Sequence, residues 1–124
     1  MKTCYCHSGS DFADCCEPFL LNKKKPNLPE ALMRSRYTAY VLHNAAYLMQ
    51  TTHPSQQKYY SKNEIIKWAK ANTWLKLEII LAKETHVEFK AYYLDEKLQA
   101  QVHHEKSTFK LEKGIWYYLD GEFY

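Results

Sequence analysis

The sequence predicts an α+β fold with a small metal knuckle at its amino-terminal end. Three observations predict it. All four cysteines of the 124-residue chain fall within the first sixteen residues, as Cys4-Tyr5-Cys6 and Cys15-Cys16. Apolar residues then recur at helical spacing between Pro29 and Ala69. From Leu75 onward they alternate with period two in successive short runs, as in an antiparallel meander. Helices first and strands afterwards place the helices on one face of a curved sheet. A bent sheet closed over by helices leaves a cone-shaped cavity, a usual home for a small-molecule site or a partner groove.

The cysteines come first in the chain. Cys-x-Cys and vicinal Cys-Cys pairs close strained rings and make poor internal disulfides, although cross-pairing between the two groups is sterically open. Met1-Lys2-Thr3 leads straight into them without an apolar leader, so a reducing, cytoplasmic setting is expected. Clustered thiols in such a setting bind metal or do redox chemistry. Four thiolates suit tetrahedral Zn²⁺, and Cys4, Cys6, Cys15 and Cys16 are the expected ligands. Cys4 and Cys6 can point the same way from an extended segment. Ser8-Gly9-Ser10-Asp11 supplies the turn, with Gly9 free to take a positive φ. His7 could replace one thiol, but four cysteines already complete a set. Structural zinc contributes on the order of 10 kcal/mol to segments with so little apolar core. A closed four-thiolate site leaves no open position for water or substrate, which argues against a catalytic metal. Oxidation that expels the zinc would instead make the same residues a redox switch.

Residues 22–28, with Lys23, Lys24, Lys25 and Pro26, form a solvated basic linker. The chain therefore divides into a knuckle with its linker over 1–25 and an α+β domain over 26–124. Pro29-Glu30-Ala31 opens a helix, with proline at its first position and an acid in its first turn. Met33, Tyr37, Tyr40 and Val41 then make one apolar stripe. At 100° per residue Arg36 lies about 60° to one side of Met33 and Arg34 about 100° to the other. A shorter helix runs from Ala45 to about Thr52 and ends before His53-Pro54, because a residue preceding proline is pushed out of the helical region. Ser61-Lys62-Asn63-Glu64 is a capping box, and Ile65, Ile66 and Ala69 give the helix behind it a buried side.

The strands follow as Leu75-Leu77-Ile79-Leu81, Val87-Phe89-Ala91-Tyr93 and Leu98-Ala100-Val102, with Asp95-Glu96-Lys97 as a hairpin connection. After Val102 the apolar phase moves from even to odd positions at Phe109 and Leu111. A β-bulge near residues 103–107 would absorb that slip. Gly114 turns the chain into Ile115-Trp116-Tyr117-Tyr118. The composition is globular, 46% hydrophobic and 25% charged, with eleven tyrosines. No apolar stretch approaches the roughly 20 residues that span a bilayer, so no membrane association is expected. A formal charge of +3 gives no concentrated basic face, so nucleic acid is not the expected partner.

Cys4-x-Cys6-x8-Cys15-Cys16, with Ser8 and Gly9 inside the loop, resembles a SEC-C motif, the zinc module also found at the tail of the SecA translocation ATPase. Pro29 through Tyr40, Tyr47-Leu48 through Thr52-His53-Pro54, and Gly114-Ile115-Trp116-Tyr117-Tyr118-Leu119-Asp120-Gly121 are similar to the YchJ family of uncharacterised bacterial proteins. That resemblance covers nearly the whole chain, and Arg34-Ser35-Arg36-Tyr37 is its most specific part. It implies a cystatin-like, nuclear transport factor 2-like curved antiparallel sheet with helices packed on it, zinc on the four cysteines, and a cytoplasmic bacterial protein. Two positions depart from the motif: Tyr5 stands where proline is common and His7 where glycine is. Many relatives also carry a second SEC-C motif, and this sequence shows one such cluster.

The expected function is binding without catalysis, the knuckle docking a protein or ribosome-associated partner and the sheet-domain cavity taking a second ligand. The alternative is an isomerase, dehydratase or hydrolase with its site in that cavity. Arg34, Arg36, Tyr37 and His53 are the candidate ligand-binding residues, with His103 as an outside choice, and arginine there would favour a small anionic ligand. Each has a structural competitor. An arginine can brace its helix, Tyr37 and Tyr40 can be core, and His53 can bond to backbone at a helix end. His103 and His104 lie on alternating faces and cannot share one site. Single-stranded nucleic-acid binding by the knuckle, the lysines and exposed tyrosines is a third reading, but the tyrosines follow helix and strand periodicity and are better explained as packing.

Overall fold

A computed structural model describes residues 2–124. Four helices precede four strands: α1 (Glu17–Leu20), α2 (Pro29–Val41), α3 (Ala45–Gln50), α4 (Lys62–Ala71), β1 (Thr73–Lys83), β2 (His86–Leu94), β3 (Ala100–Glu112) and β4 (Ile115–Phe123). The strands form one antiparallel meander in the order β1-β2-β3-β4. This is the α+β architecture predicted from helices followed by alternation.

Helix α2 is the axis of the fold. It starts on Pro29, and Leu28 ahead of it makes no side-chain cap. Leu32, Met33, Ser35, Arg36, Tyr37, Thr38 and Ala39 are all buried, more of its circumference than one apolar stripe would cover. The cause is that α2 touches α1, α3 and α4 as well as β1, β2 and β4. Met33 and Tyr37 pack with Leu77, Val87, Phe89, Phe109 and Tyr118 of the sheet. Cys4, Cys6 and Cys16 belong to that same core, so the knuckle and the α+β domain share their packing.

Helix α3 is capped by the Asn44 side chain, which accepts from Tyr47 N. It ends at Gln50, two residues earlier than the sequence suggests. Thr52 leaves it to form a parallel bridge with Tyr118, fixed by Tyr118 N–H to Thr51 O and His53 N–H to Tyr118 O, each 2.8 Å. Ser61 Oγ accepts from Glu64 N–H at the start of α4.

Three details of the sheet differ from the apolar alternation. In β1 two residues, Leu75 and Ile80, have no partner on β2, and each makes a bulge. The first turns Trp74 towards the interior and leaves Leu75 nearly half exposed, and the second does the same to Leu81. Leu98 belongs to the turn before β3, at φ 60°, where Asp95 caps the Lys97 and Gln99 amides. Finally, β3 pairs with β2 without interruption from His86↔Thr108 to Leu94↔Ala100, so the bulge expected over 103–107 is not there. The register shift lies against β4, between Thr108 and Phe109, with Leu119 as the extra residue. Hence β3 keeps one inner face throughout, made by His103, Glu105, Ser107 and Phe109, while Val102 points out. The apolar residues at even positions indicate the wrong face, because three of the four inner residues are polar.

Candidate functional site

The cysteine cluster is built by two short backbone devices. Thr3 bridges Asp11, and Cys4 N–H reaches Ser10 O at 2.8 Å, closing a loop whose tip uses positive φ at His7 (62°) and Gly9 (91°). A single 3-10 turn (Phe12–Asp14) then delivers Cys15 and Cys16 to the start of α1, where Cys16 O accepts from Phe19 and Leu20. The four Sγ atoms lie within 4.8 Å of one another. Cys6 and Cys15 are 3.6 Å apart and Cys15 and Cys16 3.9 Å. A tetrahedron with metal–sulfur bonds of about 2.3 Å has edges of about 3.8 Å, whereas a disulfide needs about 2.05 Å. All four cysteines are free thiols, and their spacing fits a tetrahedral metal. His7 stays exposed outside the cluster, 6.5 Å ring to ring from Tyr37.

Electrostatics within the cluster point the same way. Hydrogen bonding from Cys16, opposed by burial and helped by Ser8, holds the Cys6 thiol down at about 4. Its bond to Cys6 and its burial push Cys16 well above the usual thiol range, while burial pushes Cys15 up to about 11. Negative charge on Cys6 works against ionisation of Cys15 and Cys16, which is the repulsion a divalent cation relieves. Arg34 serves this site. Its Nη1 donates to Cys6 O at 2.9 Å and its Nε to Glu30 at 3.0 Å, so it braces the knuckle against α2.

The second site is a cavity of about 200 Å³ between α2, α4 and the sheet. Its walls are mainly aromatic: Tyr37, Tyr40, Trp68, Trp74, Phe89 and Tyr118. Trp68 and Trp74 meet edge to face at 5.1 Å between centroids. Two charged groups reach into this apolar space. Arg36 is 6% exposed, and its guanidinium lies 4.4 Å from the centre of the Tyr118 ring. Its hydrogen bonds all run through Nη1, to Leu48 O (3.0 Å), Thr51 Oγ1 (2.8 Å) and Thr52 Oγ1 (3.3 Å). Among the described residues no buried side-chain nitrogen or oxygen lacks a partner. Nε and Nη2 bond to no protein atom, and Arg36 is one of the residues that line the cavity.

Glu105 is the second charge, 5% exposed. Oε1 accepts from His103 Nε2 at 2.7 Å, and Oε2 accepts from Ser107 Oγ and Tyr118 OH, both at 2.7 Å. Burial raises its pKa, but the bonds from His103, Ser107 and Tyr118 outweigh burial and leave it below the ordinary carboxylate value. Gly121 makes room for it. A Cβ at that position would come within 2.6 Å of Glu105 Cδ.

Arg36 and Tyr37 thus line the cavity, and Arg34 and His53 do not. His53 is buried on the far side of Tyr118, its ring held by Ser55 at 2.7 Å and Glu112 at 3.2 Å and edge-on to Tyr117. The pairing of Arg36 with His53 around one ligand is not made. The chain places His103 there instead, with Glu105. Residues i and i+2 of a strand share a face, so His103-His104-Glu105 carried a readable signal once the inner face of β3 was fixed.

Residues 28–121 match the family model described as the YchJ middle NTF2-like domain. The chain is 45% identical to a UPF0225 protein of Photorhabdus laumondii, over 97% of this chain and 80% of the relative. It is 37% identical to a UPF0225 protein of Vibrio cholerae, over 98% and 83%. A SEC-C motif containing protein from Rhodopseudomonas palustris, solved in solution, superposes with a TM-score of 0.88 at 36% identity, covering 96% of each chain. The crystal structure of another, from Psychrobacter arcticus, superposes with a TM-score of 0.79 at 31% identity, covering 97% of this chain and 81% of that one.

Proposed function

Since the chain belongs to the YchJ family, with an NTF2-like middle domain and a SEC-C cysteine cluster, we propose that it is a zinc-stabilised protein whose cavity binds a small, flat, anionic ligand. The observation that carries the ligand reading is the free edge of Arg36. A guanidinium whose Nε and Nη2 bond to no protein atom, on a residue lining an aromatic enclosure, can donate to a carboxylate, and such a bond is worth far more there than in water. The tryptophans supply faces for the body of the ligand.

Titration of benzoate and its neutral counterpart benzamide against tryptophan fluorescence tests this. Trp68 and Trp74 report binding, benzoate saturates at lower concentration than benzamide, and Arg36→Lys narrows the difference. Equal affinity for the two probes would remove the anionic preference.

Zinc is the metal that the four sulfurs suit, with Cys4, Cys6, Cys15 and Cys16 as its ligands. Bound there it supplies folding energy and shape, since four thiolates leave no position for chemistry. Residues 7–10 form an exposed rim beside it, followed in sequence by the exposed Lys23, Lys24 and Lys25, and this is the face on which a protein or ribosome-associated partner would dock. Recovery of such a partner on the immobilised protein should drop with Cys15→Ser; unchanged recovery counts against the knuckle as a docking face.

A further inference from the structure

The His103–Glu105 pair does more than line a cavity. Glu105 sits below the ordinary carboxylate range and is an acceptor only, so the 2.7 Å bond from His103 Nε2 fixes the proton on that nitrogen. In the neutral imidazole the other nitrogen, Nδ1, then carries the lone pair. Among the described residues Nδ1 has no hydrogen-bond partner, and His103, its side chain 30% exposed, is one of the residues that line the cavity. Phe89 and Phe123 hold the ring at 6.0 and 5.4 Å between centroids. Ser107 and Tyr118 hold the carboxylate that orients it. Arg36, with Nε and Nη2 bonded to no protein atom, lines the same cavity.

A base held in one tautomer, a buried carboxylate behind it, and a fixed cation facing an apolar enclosure are the parts of a proton-transfer site. We propose that the cavity catalyses proton abstraction from a small, planar carbon acid, with His103 Nδ1 as the base and Arg36 holding the anion that forms. The step rests on the cavity binding a small ligand and goes from binding to chemistry. A C–H bond next to a carbonyl breaks, its proton passes to Nδ1, and its electron pair moves into the carbonyl to give an enolate oxygen beside the guanidinium. In a β,γ-unsaturated carbonyl compound the imidazolium, stabilised by Glu105, returns the proton to the γ-carbon of the dienolate, and the C=C bond moves into conjugation with the carbonyl. The balance closes as an isomerisation without a redox partner. Glu105 is a positioning residue, because it acts through His103.

The probe is 5-nitrobenzisoxazole, a flat carbon acid whose C3–H proton goes to a base while the N–O bond breaks and a coloured nitrophenolate forms. Tryptophan quenching reads its binding and absorbance reads its turnover. Expected are saturable quenching and a rate at least about a hundredfold above free imidazole at equal concentration. Turnover falls to background in His103→Gln with quenching unchanged. Added imidazole restores it in His103→Ala, a result that a merely structural histidine would not give. Glu105→Gln lowers kcat and leaves KM in place. Saturable quenching with no turnover above free imidazole would overturn the base and leave the binding reading standing. No saturable quenching by any of the flat probes would overturn the binding reading itself. Full turnover in His103→Gln would overturn the assignment of the base.

Discussion

Replacing Tyr118 by phenylalanine tests the polar centre of the cavity with the least disturbance. Only the hydroxyl is lost, and with it the 2.7 Å bond to Glu105 Oε2. The ring keeps its edge contact with Phe109 at 5.9 Å and its place beneath Arg36. A hydrogen bond to a charged acceptor is worth about 1.5–3 kcal/mol, so at pH 7 the variant should lose about 2 kcal/mol. Because the bond is stronger to the ionised than to the protonated carboxyl, its loss also raises the Glu105 pKa. The sign follows from the direction of the native shift. Glu105 is depressed in the folded protein, so its contribution is present above the unfolded carboxylate value and is lost as pH falls through the folded one. Burial and the neighbouring Glu105 charge push the Tyr118 phenol upward, so it remains a neutral donor throughout. Once the pH has fallen through the folded value, both proteins carry a protonated Glu105, and only the worth of a neutral bond, about 1 kcal/mol, separates them. Urea unfolding at pH 7 and at successively lower pH, with reductant held constant, measures both. A difference below about 0.5 kcal/mol at pH 7, or one that grows on acidification, would refute the assignment of Glu105 as an ionised acceptor.

Gly121→Ala forces a methyl group into the Glu105 carboxylate and should cost about 1–3 kcal/mol by overpacking, read as a lowered unfolding midpoint; made in a Glu105→Ala background, the same change should cost little relative to Glu105→Ala alone. Arg34→Gln removes the donor to Cys6 O and should destabilise by about 1 kcal/mol while speeding metal loss to a chelator, followed by a colorimetric zinc indicator. Reduced protein should carry one zinc per chain by elemental analysis, and Cys6→Ser should lower both that ratio and the thermal midpoint. Its effect should be large, since Cys6 is wholly buried and touches the main core.

Legibility differed from residue to residue for physical reasons. The cysteine spacing, the helix opening at Pro29 and the two-residue turn at Lys113-Gly114, where φ is 52° and 80°, each obey a local rule that needs no tertiary information. Trp74 could not be placed, because Leu75, Ile79 and Ile80 are apolar on both faces of β1 and only the pairing with β2 shows which residues bulge. The face of β3 was misread for a related reason. Alternation assumes an apolar interior, and here His103, Glu105 and Ser107 face inward because the interior contains a cavity with its own polar network. Arg34 and Arg36 both flanked the right stripe, yet helix geometry could not say that one meets a carbonyl 28 residues away and the other α3. His53 looked available after the end of α3, until pairing with β4 took its amide and Glu112 took its ring.

The sharing of one core by Cys4, Cys6, Cys16, Leu32 and Tyr37 changes how this molecule can be dissected. Cutting the chain after residue 25 would not release a self-sufficient sheet domain; it would strip a lid from Met33 and Tyr37 and open the apolar wall behind them to water. Oxidation of the thiols would have a milder form of the same outcome, felt first along α2, on which the cysteine cluster and the cavity wall both lean.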